Sequence, residues 1–167
     1  MDVSMAANFN TDRELYLKML YLKTATLIEA CAYSAAILAG KDAEAYATYG
    51  KNLGLAFQIV DDILDITADE ATLGKPSLND FSEGKVTLPY IDLYNHLGES
   101  DKGRLVANHA KVLDDTEKGW IRSQMEAFGT IEQSYTYARG LCDEAIGAIG
   151  DDAALRAIIE TVIKRSY

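Results

Sequence analysis

The most informative part of this 167-residue chain is the stretch QIVDDILD, residues 58–65. Asp61, Asp62 and Asp65 lie within two turns of a predicted helix, and Gln58 lies one turn before them on the same side. Three like charges held this close repel one another, and a hard divalent cation with oxygen ligands relieves that repulsion. The stretch therefore predicts a Mg²⁺ site with Asp61, Asp62 and Asp65 as metal ligands.

A solvated helix face is the alternative interpretation of these three acids, because most acidic clusters are no more than that. The apolar residues around them favour a site, since they indicate a helix that is buried over most of its circumference. Acids on such a helix need a partner. The apolar residues are Ile59, Val60, Ile63, Leu64 and Ile66.

The composition limits the class of protein and its partners. With 49% hydrophobic residues, the chain is expected to fold as one globular domain. A net charge of −10 argues against nucleic acids and anionic membrane surfaces as partners. Cys31 and Cys142 form no CxxC pair, which favours a reducing cytoplasm over a zinc or disulfide framework. Glu29 interrupts the longest apolar run, so no membrane span is predicted.

Helical spacing on both sides of a central loop predicts an all-α chain. A capping box over residues 11–14 opens a first helix that should end at Gly40. A second helix should begin after Asp42 and end near Thr67, followed by a loop from Ala68 to Lys85. Five further helices are expected over residues 90–97, 100–112, 116–128, 130–150 and 151–165.

Three lysines are candidate anion ligands. Lys75 and Lys85 each follow a glycine, which lets the backbone approach a ligand while the ammonium group reaches phosphate oxygens. Lys23 precedes Thr24 in the middle of the first helix, and Asp80 lies between the two loop lysines. Each lysine taken alone is equally typical of an ordinary surface residue.

Together these motifs resemble the carboxyl-terminal half of the trans-isoprenyl diphosphate synthases, the polyprenyl synthetase family. The resemblance covers essentially the whole chain and is greatest to bacterial enzymes that make medium or long polyprenyl chains. The matching segments, in the family's order and approximate spacing, are Lys23-Thr24, residues 57–65, residues 73–76, Asn79-Asp80, residues 84–89 and residues 162–166.

The resemblance implies a helical isoprenoid-synthase fold in which two aspartate-rich motifs bind an allylic diphosphate through Mg²⁺. The implied reaction is condensation of that diphosphate with isopentenyl diphosphate, in which metal and lysines stabilise the departing pyrophosphate. The residue roles that the resemblance implies are metal binding for Asp61, Asp62 and Asp65, diphosphate binding for Lys23, Lys75 and Lys85, and catalysis for Lys23, Thr24 and Gln58. Of the catalytic residues, Thr24 and Gln58 lie beside the cationic carbons in the family.

The chain departs from the family pattern in two ways. The family's first aspartate-rich motif and its isopentenyl-binding residues belong to an amino-terminal half, and this chain contains neither. We therefore expect a partial helical bundle, a single truncated domain over residues 1–167 that is inactive alone and forms a homo-oligomer through exposed apolar faces. Leu78 stands where many relatives carry glycine, so the resemblance implies the identity of the site but does not fix the exact conformation of the loop.

Two other functions compete with a synthase. One is a non-catalytic helical subunit that modulates a complete synthase, and the other is a terpene cyclase. The retained acids and lysines argue against the first, and the lysine motifs at residues 74–76 and 84–85 argue against the second. The tyrosines follow helical spacing, so the sequence assigns them to packing. They include Tyr16, Tyr21, Tyr33, Tyr46 and Tyr49.

Overall fold

The computed structural model describes residues 8–68, 77–150 and 152–164. Every regular element in these ranges is helical, which confirms the predicted all-α fold. No helix there is long and apolar enough to cross a membrane. In chain order the helices are α1 (Arg13–Leu20), α2 (Thr26–Leu38), α3 (Ala43–Thr67), α4 (Asn79–Ser82), α5 (Leu88–His96), α6 (Glu99–Asn108), α7 (Asp115–Phe128), α8 (Thr130–Ile149) and α9 (Ala153–Lys164), with a π-helical segment, Tyr21–Ala25, between α1 and α2.

The start of α1 differs from the predicted capping box. Asp12, rather than Thr11, caps the helix, because its Oδ1 accepts the N–H groups of Glu14 at 2.9 Å and Leu15 at 3.1 Å. A carboxylate at this position satisfies amides that have no partner within the helix and also favours the helix dipole. The capping residue is therefore one position later than the sequence pattern indicates.

The predicted continuous helix from Thr11 to Gly40 is wrong in its middle. One π-helical segment, Tyr21–Ala25, separates α1 from α2 and carries both Lys23 and Thr24. Such segments insert one residue into a helix and often occur at functional sites. The end is as predicted, since Gly40 has a left-handed φ of 63° that stops the helix.

The contacts divide the chain into two compact units. We call residues 1–16 and 62–134 the first unit, and residues 17–61 and 135–167 the second unit. The helix α3 begins after Asp42, as predicted, and contributes residues to both units. The prediction of one truncated domain stays a prediction.

The core of the first unit surrounds α4 and the buried faces of α5, α6 and α7. The rings of Phe81 and Tyr90 are stacked with centroids 4.3 Å apart. The end of α3 is held in this unit by Arg122, whose Nε donates to the carbonyl of Ile66 at 3.1 Å. The buried members of this core are Ile66, Leu78, Phe81, Tyr90, Leu93, Leu97, Leu105, Leu113, Ile121 and Met125.

Leu78, which the family resemblance marks as a departure from an expected glycine, adopts a left-handed conformation with φ 57° and ψ 29°. This conformation is unfavourable for a residue with a Cβ, and most so for a bulky one. The side chain of Leu78 is nevertheless fully buried in the core of the first unit. Burial of an apolar side chain therefore opposes the backbone strain at this turn.

The second unit is packed around the first part of α3. Glycines allow α3 to lie directly against α2 and the π-helical segment: a Cβ on Gly50 would be 2.7 Å from the carbonyl oxygen of Ile28. The hydroxyl of Tyr49 donates to the carbonyl of Leu155 in α9 at 3.0 Å. Both cysteines of the chain are free thiols in this unit, Cys31 exposed and Cys142 buried.

Candidate functional site

The three predicted metal ligands differ sharply in their surroundings, although all belong to α3. Asp61 is exposed, whereas Asp62 is 9% exposed and Asp65 only 2%. The neighbouring residues Ile63 and Ile66 are fully buried, which forces two of the acids inward as well. A buried carboxylate requires hydrogen-bond donors, and both Asp62 and Asp65 have them in the first unit.

Asp62 is bound by a tyrosine. The hydroxyl of Tyr16 in α1 donates to Oδ2 of Asp62 at 2.7 Å. Burial, followed by the charge of Asp62 and this hydrogen bond, raises the pKa of the Tyr16 phenol well above its ordinary value. The phenol therefore keeps its proton and remains a donor to the carboxylate at neutral pH.

Asp65 is bound by main-chain N–H groups of residues 78–80, at the start of α4. Its Oδ2 accepts the N–H group of Asp80 at 3.0 Å, and its main-chain carbonyl accepts the N–H group of Leu78 at 2.9 Å. Both contacts attach the start of α4 to the last part of α3. The carbonyl near the helix end thereby gains a donor that the helix itself cannot supply.

Lys85 lies between two nearby carboxylates. Its Nζ donates to Oδ1 of Asp80 at 2.7 Å and to Oε2 of Glu83 at 2.9 Å. Partial burial alone would lower the pKa of this ammonium, but the hydrogen bonds to Asp80 and Glu83 raise it above its ordinary value. Lys85 is thus a fixed positive charge, as a diphosphate ligand should be.

Three further predicted site residues, Lys23, Thr24 and Gln58, belong to the second unit. The hydroxyl of Thr24 in the π-helical segment donates to Oε1 of Gln58 at 2.6 Å, and Lys23 beside it is exposed. The close approach that permits this contact depends on Gly54, one turn before Gln58. A Cβ there would be 2.6 Å from the Cα of Ala25. The structure thus brings Thr24 and Gln58 together, and their predicted catalytic role stays a prediction.

Lys75 lies outside the described residues, so its predicted role is unaffected by these contacts. Among the residues that the structure does describe, no three His, Cys, Asp or Glu side chains are arranged to hold a metal ion. Mg²⁺ usually takes one or two carboxylates and completes its octahedron with water and substrate phosphates. The donor chemistry therefore fits Mg²⁺, while the ligand roles of Asp61, Asp62 and Asp65 stay predictions.

Two features of the site are not predicted by the sequence patterns, namely the Tyr16–Asp62 hydrogen bond and the close packing at Gly54. Helical spacing predicts that Tyr16 packs in the core, because this spacing does not distinguish a packed tyrosine from one that binds an acid 46 residues later. The close packing of α3 does have a sequence signal. Gly50, Gly54 and Gln58 are spaced four residues apart and so share one face of α3. Small residues at that spacing indicate close helix contact.

Comparison with known proteins supports the assignment suggested by these residues. A family model described as polyprenyl synthetase matches residues 1–124. A short chain isoprenyl diphosphate synthase of Methanothermobacter thermautotrophicus is 34% identical over 144 residues, which are 83% of this chain and 43% of that protein. The octaprenyl diphosphate synthase of Escherichia coli is 34% identical over 145 residues, which are 81% of this chain and 43% of that protein.

Solved structures of enzymes of the same kind have a fold similar to that of this chain. The octaprenyl pyrophosphate synthase from Helicobacter pylori is similar with a TM-score of 0.89 and 41% identity, over 97% of this chain and 56% of that one. This chain spans about half the length of these relatives. The predicted resemblance is confirmed, and the chain belongs to the polyprenyl synthetase family.

Proposed function

We propose that this chain supplies the diphosphate-binding part of a prenyltransferase that condenses an allylic diphosphate with isopentenyl diphosphate. The observation that carries the proposal is the fixed ammonium of Lys85, held by Asp80 on a turn that is itself attached to Asp65 of α3. Lys85 and Asp65, which both match motifs of the family, are thereby linked through hydrogen bonds to Asp80 within the first unit. The named relatives that are synthases support the same reaction.

In the proposed reaction the allylic carbon–oxygen bond breaks and its electron pair leaves with pyrophosphate. The double bond of isopentenyl diphosphate then attacks the allylic cation, a carbon–carbon bond forms, and a proton is lost. Lys23, Lys75 and Lys85 bind the diphosphate and stabilise the charge that it gains. Because Lys85 is already paired with Asp80 and Glu83, the diphosphate must compete with those carboxylates for its donors.

Mg²⁺ is the proposed cofactor, and when bound it would neutralise charge on the departing pyrophosphate. Asp61, Asp62 and Asp65 are its proposed ligands. The exposure of Asp61 suits direct access to the metal. The hydrogen bond from Tyr16 suits Asp62, because donors behind a ligating carboxylate fix its orientation.

Thr24 and Gln58 are proposed to act beside the cationic carbons, and Lys23 is the third proposed catalytic residue, acting on the diphosphate. The hydrogen bond from Thr24 fixes the amide of the buried Gln58, so that its orientation is set before substrate arrives. Oxygen atoms of amides and hydroxyls carry partial negative charge, which stabilises an allylic cation. The close packing at Gly54 serves this role by holding the π-helical segment against α3.

We propose that isopentenyl diphosphate binds only where the first aspartate-rich motif is also present, so the chain alone gives no turnover. A homo-oligomer is proposed because α2 exposes large apolar residues, among them Leu27 and Leu38. A cytoplasmic location is proposed from the two free thiols, since a reducing compartment preserves them.

The test is binding of pyrophosphate with Mg²⁺, followed by thermal unfolding. A ligand at about 100 times its Kd stabilises a protein by roughly 2.7 kcal/mol, so a clear rise in Tm is expected. Pyrophosphate with a chelator and Mg²⁺ alone are the controls, and neither should give the full shift. Asp61→Asn should reduce the shift by removing an exposed carboxylate that binds the metal. An unchanged Tm in the native protein would contradict the proposed site.

A further inference from the structure

We infer that Asp65 is a positioning residue for Lys85, a role separate from the metal binding proposed above. The inference rests on the proposed function, because Lys85 matters here as a diphosphate ligand. It concerns contacts within the first unit only. The hydrogen bonds run from Asp65 directly to the N–H group of Asp80 at the start of α4, and from Asp80 to Lys85.

The first step is the attachment of residues 78–80. Asp65 accepts two main-chain N–H groups, that of Asp80 at Oδ2 and that of Leu78 at its carbonyl oxygen. With only 2% of its surface exposed, Asp65 makes these contacts with little competition from water. Hydrogen bonds to a charged acceptor are about twice as strong as neutral ones. Residues 78–80 are therefore fixed at both ends.

The second step joins Asp80 to Lys85 at two points. The N–H group of Lys85 donates to the carbonyl of Asp80 at 2.8 Å, and its Nζ donates to the Asp80 carboxylate at 2.7 Å. Both the main-chain N–H group and the ammonium group of Lys85 are thus held by Asp80. If Asp80 moved, the charge of Lys85 would move with it.

The third step adds a second carboxylate. Glu83 accepts from Nζ of Lys85 at 2.9 Å and from Nδ2 of Asn79 at 2.7 Å. Glu83 is exposed, while Asp80 is mostly buried. A diphosphate that takes Lys85 donors can displace Glu83 more easily than Asp80, because exposed ion pairs contribute little stability. Asp80 then continues to position the lysine.

A positioning role and a metal-ligand role make different demands on residue 65. Positioning requires an oxygen acceptor at that place, which an asparagine amide still supplies. Ligation of Mg²⁺ requires the charge, which asparagine lacks. Asp65→Asn should therefore preserve the hydrogen bond from the N–H group of Asp80, and Asp65→Leu should break it, although both remove the carboxylate. The main-chain bond from Leu78 to residue 65 is retained in both variants.

The experiment uses nuclear magnetic resonance on the full chain without ligand. In Asp65→Leu, exchange of the amide hydrogens of Asp80 and Lys85 is expected to accelerate by at least about tenfold, while in Asp65→Asn it stays within about threefold of native. The slowly exchanging ammonium signal of Lys85 should be lost in the first variant and kept in the second. Asp65→Ala, which adds no apolar bulk, repeats the test if leucine prevents folding. Asp61→Asn is the matched control within α3 and should change neither signal.

Native exchange rates in Asp65→Leu or Asp65→Ala would overturn the inference, as would loss of the Lys85 signal in Asp65→Asn. The same variants are then tested for binding of pyrophosphate with Mg²⁺ by calorimetry. If the native protein does not bind, the proposed function fails, yet the ligand-free spectra still decide whether Asp65 positions Lys85. The two failures are therefore distinguishable.

Discussion

The buried hydroxyl of Tyr16 donates a 2.7 Å hydrogen bond to the buried carboxylate of Asp62, which lies 46 residues later in the chain. This contact ties α1 to the part of α3 that belongs to the same unit. Both groups would be costly to bury alone, and each is satisfied by the other. The pair therefore contributes to stability as well as to the arrangement of a predicted metal ligand.

The Tyr16–Asp62 pair predicts a loss of stability at high pH. Because the folded-state pKa of Tyr16 is raised above its unfolded value near 10.0, the folded protein keeps a proton that the unfolded chain releases. The contribution of Tyr16 is intact below that value and falls as pH rises above it, by up to about 1.4 kcal/mol per pH unit. In Tyr16→Phe, urea unfolding measured between neutral and alkaline pH should show a shallower alkaline decline.

The same variant should be less stable than the native protein at neutral pH. Loss of a hydrogen bond to a charged group costs about 1.5–3 kcal/mol, more than loss of a neutral one. Tyr33→Phe is the control, because Tyr33 is exposed and its substitution should leave the stability at neutral pH unchanged. An equal effect of the two substitutions would contradict the importance of the Asp62 contact.

Gly54→Ala should separate the π-helical segment from α3. The added Cβ would be 2.6 Å from the Cα of Ala25 and 2.9 Å from its Cβ, so the backbone must shift. We expect a cost of about 1–3 kcal/mol, as for other overpacked contacts, together with a weakened Thr24–Gln58 hydrogen bond. Chemical unfolding measures the first effect, and the hydroxyl resonance of Thr24 measures the second.

Gly140→Ala is the matched control for Gly54→Ala. Gly140 lies inside α8, and a Cβ there would meet nothing within 4 Å. Alanine is favoured over glycine in a helix by about 1 kcal/mol, so this variant should be as stable as the native protein or more so. If both variants were stabilised, the close contact at Gly54 would be refuted.

At position 78 a glycine variant should be more stable than an alanine variant, which is the opposite of the usual order. Both Leu78→Ala and Leu78→Gly remove a fully buried side chain, at about 2–5 kcal/mol, but only glycine removes the strain of the left-handed backbone. Leu78→Gly should therefore be more stable than Leu78→Ala by about 1 kcal/mol. Urea unfolding of the two variants decides the point, and a more stable alanine variant would mean that the backbone is unstrained.

The exposed apolar face of α2 should promote self-association. Leu27 is 70% exposed and Leu38 is 89% exposed, although both are large apolar residues. The double variant Leu27→Glu and Leu38→Glu should shift sedimentation toward monomer, because charge on an apolar contact opposes association. Val112→Glu is the control, since Val112 is 96% exposed but lies outside this helix. Equal effects of the two changes would exclude α2 as the contact.

Much of the fold can be predicted from the sequence because helix boundaries are local. Asp42 and Gly40 mark the start of α3 and the end of α2 with side-chain and backbone chemistry that acts within a few residues. The π-helical segment could not be predicted in this way. Its Ala25 packs closely against Gly54, and these two residues are far apart in sequence.

The candidate site shows the same division. The sequence identifies the acids of α3 and Lys85 as candidate ligands, because residue spacing and charge can be taken directly from it. It does not identify their partners, since the contacts of Asp62 with Tyr16 and of Asp65 with Asp80 depend on tertiary packing. Sequence patterns therefore locate the charged groups, and the structure shows how each of those described is oriented.

The different surroundings of the two thiols have a practical consequence. Burial, followed by the charge of Asp143, raises the pKa of Cys142 to about 11, so its thiol stays protonated and poorly nucleophilic near neutrality. Cys31 is exposed and belongs to α2. A maleimide fluorophore would thus attach at one native position without mutagenesis, and self-quenching between labelled molecules would report whether the α2 surfaces meet.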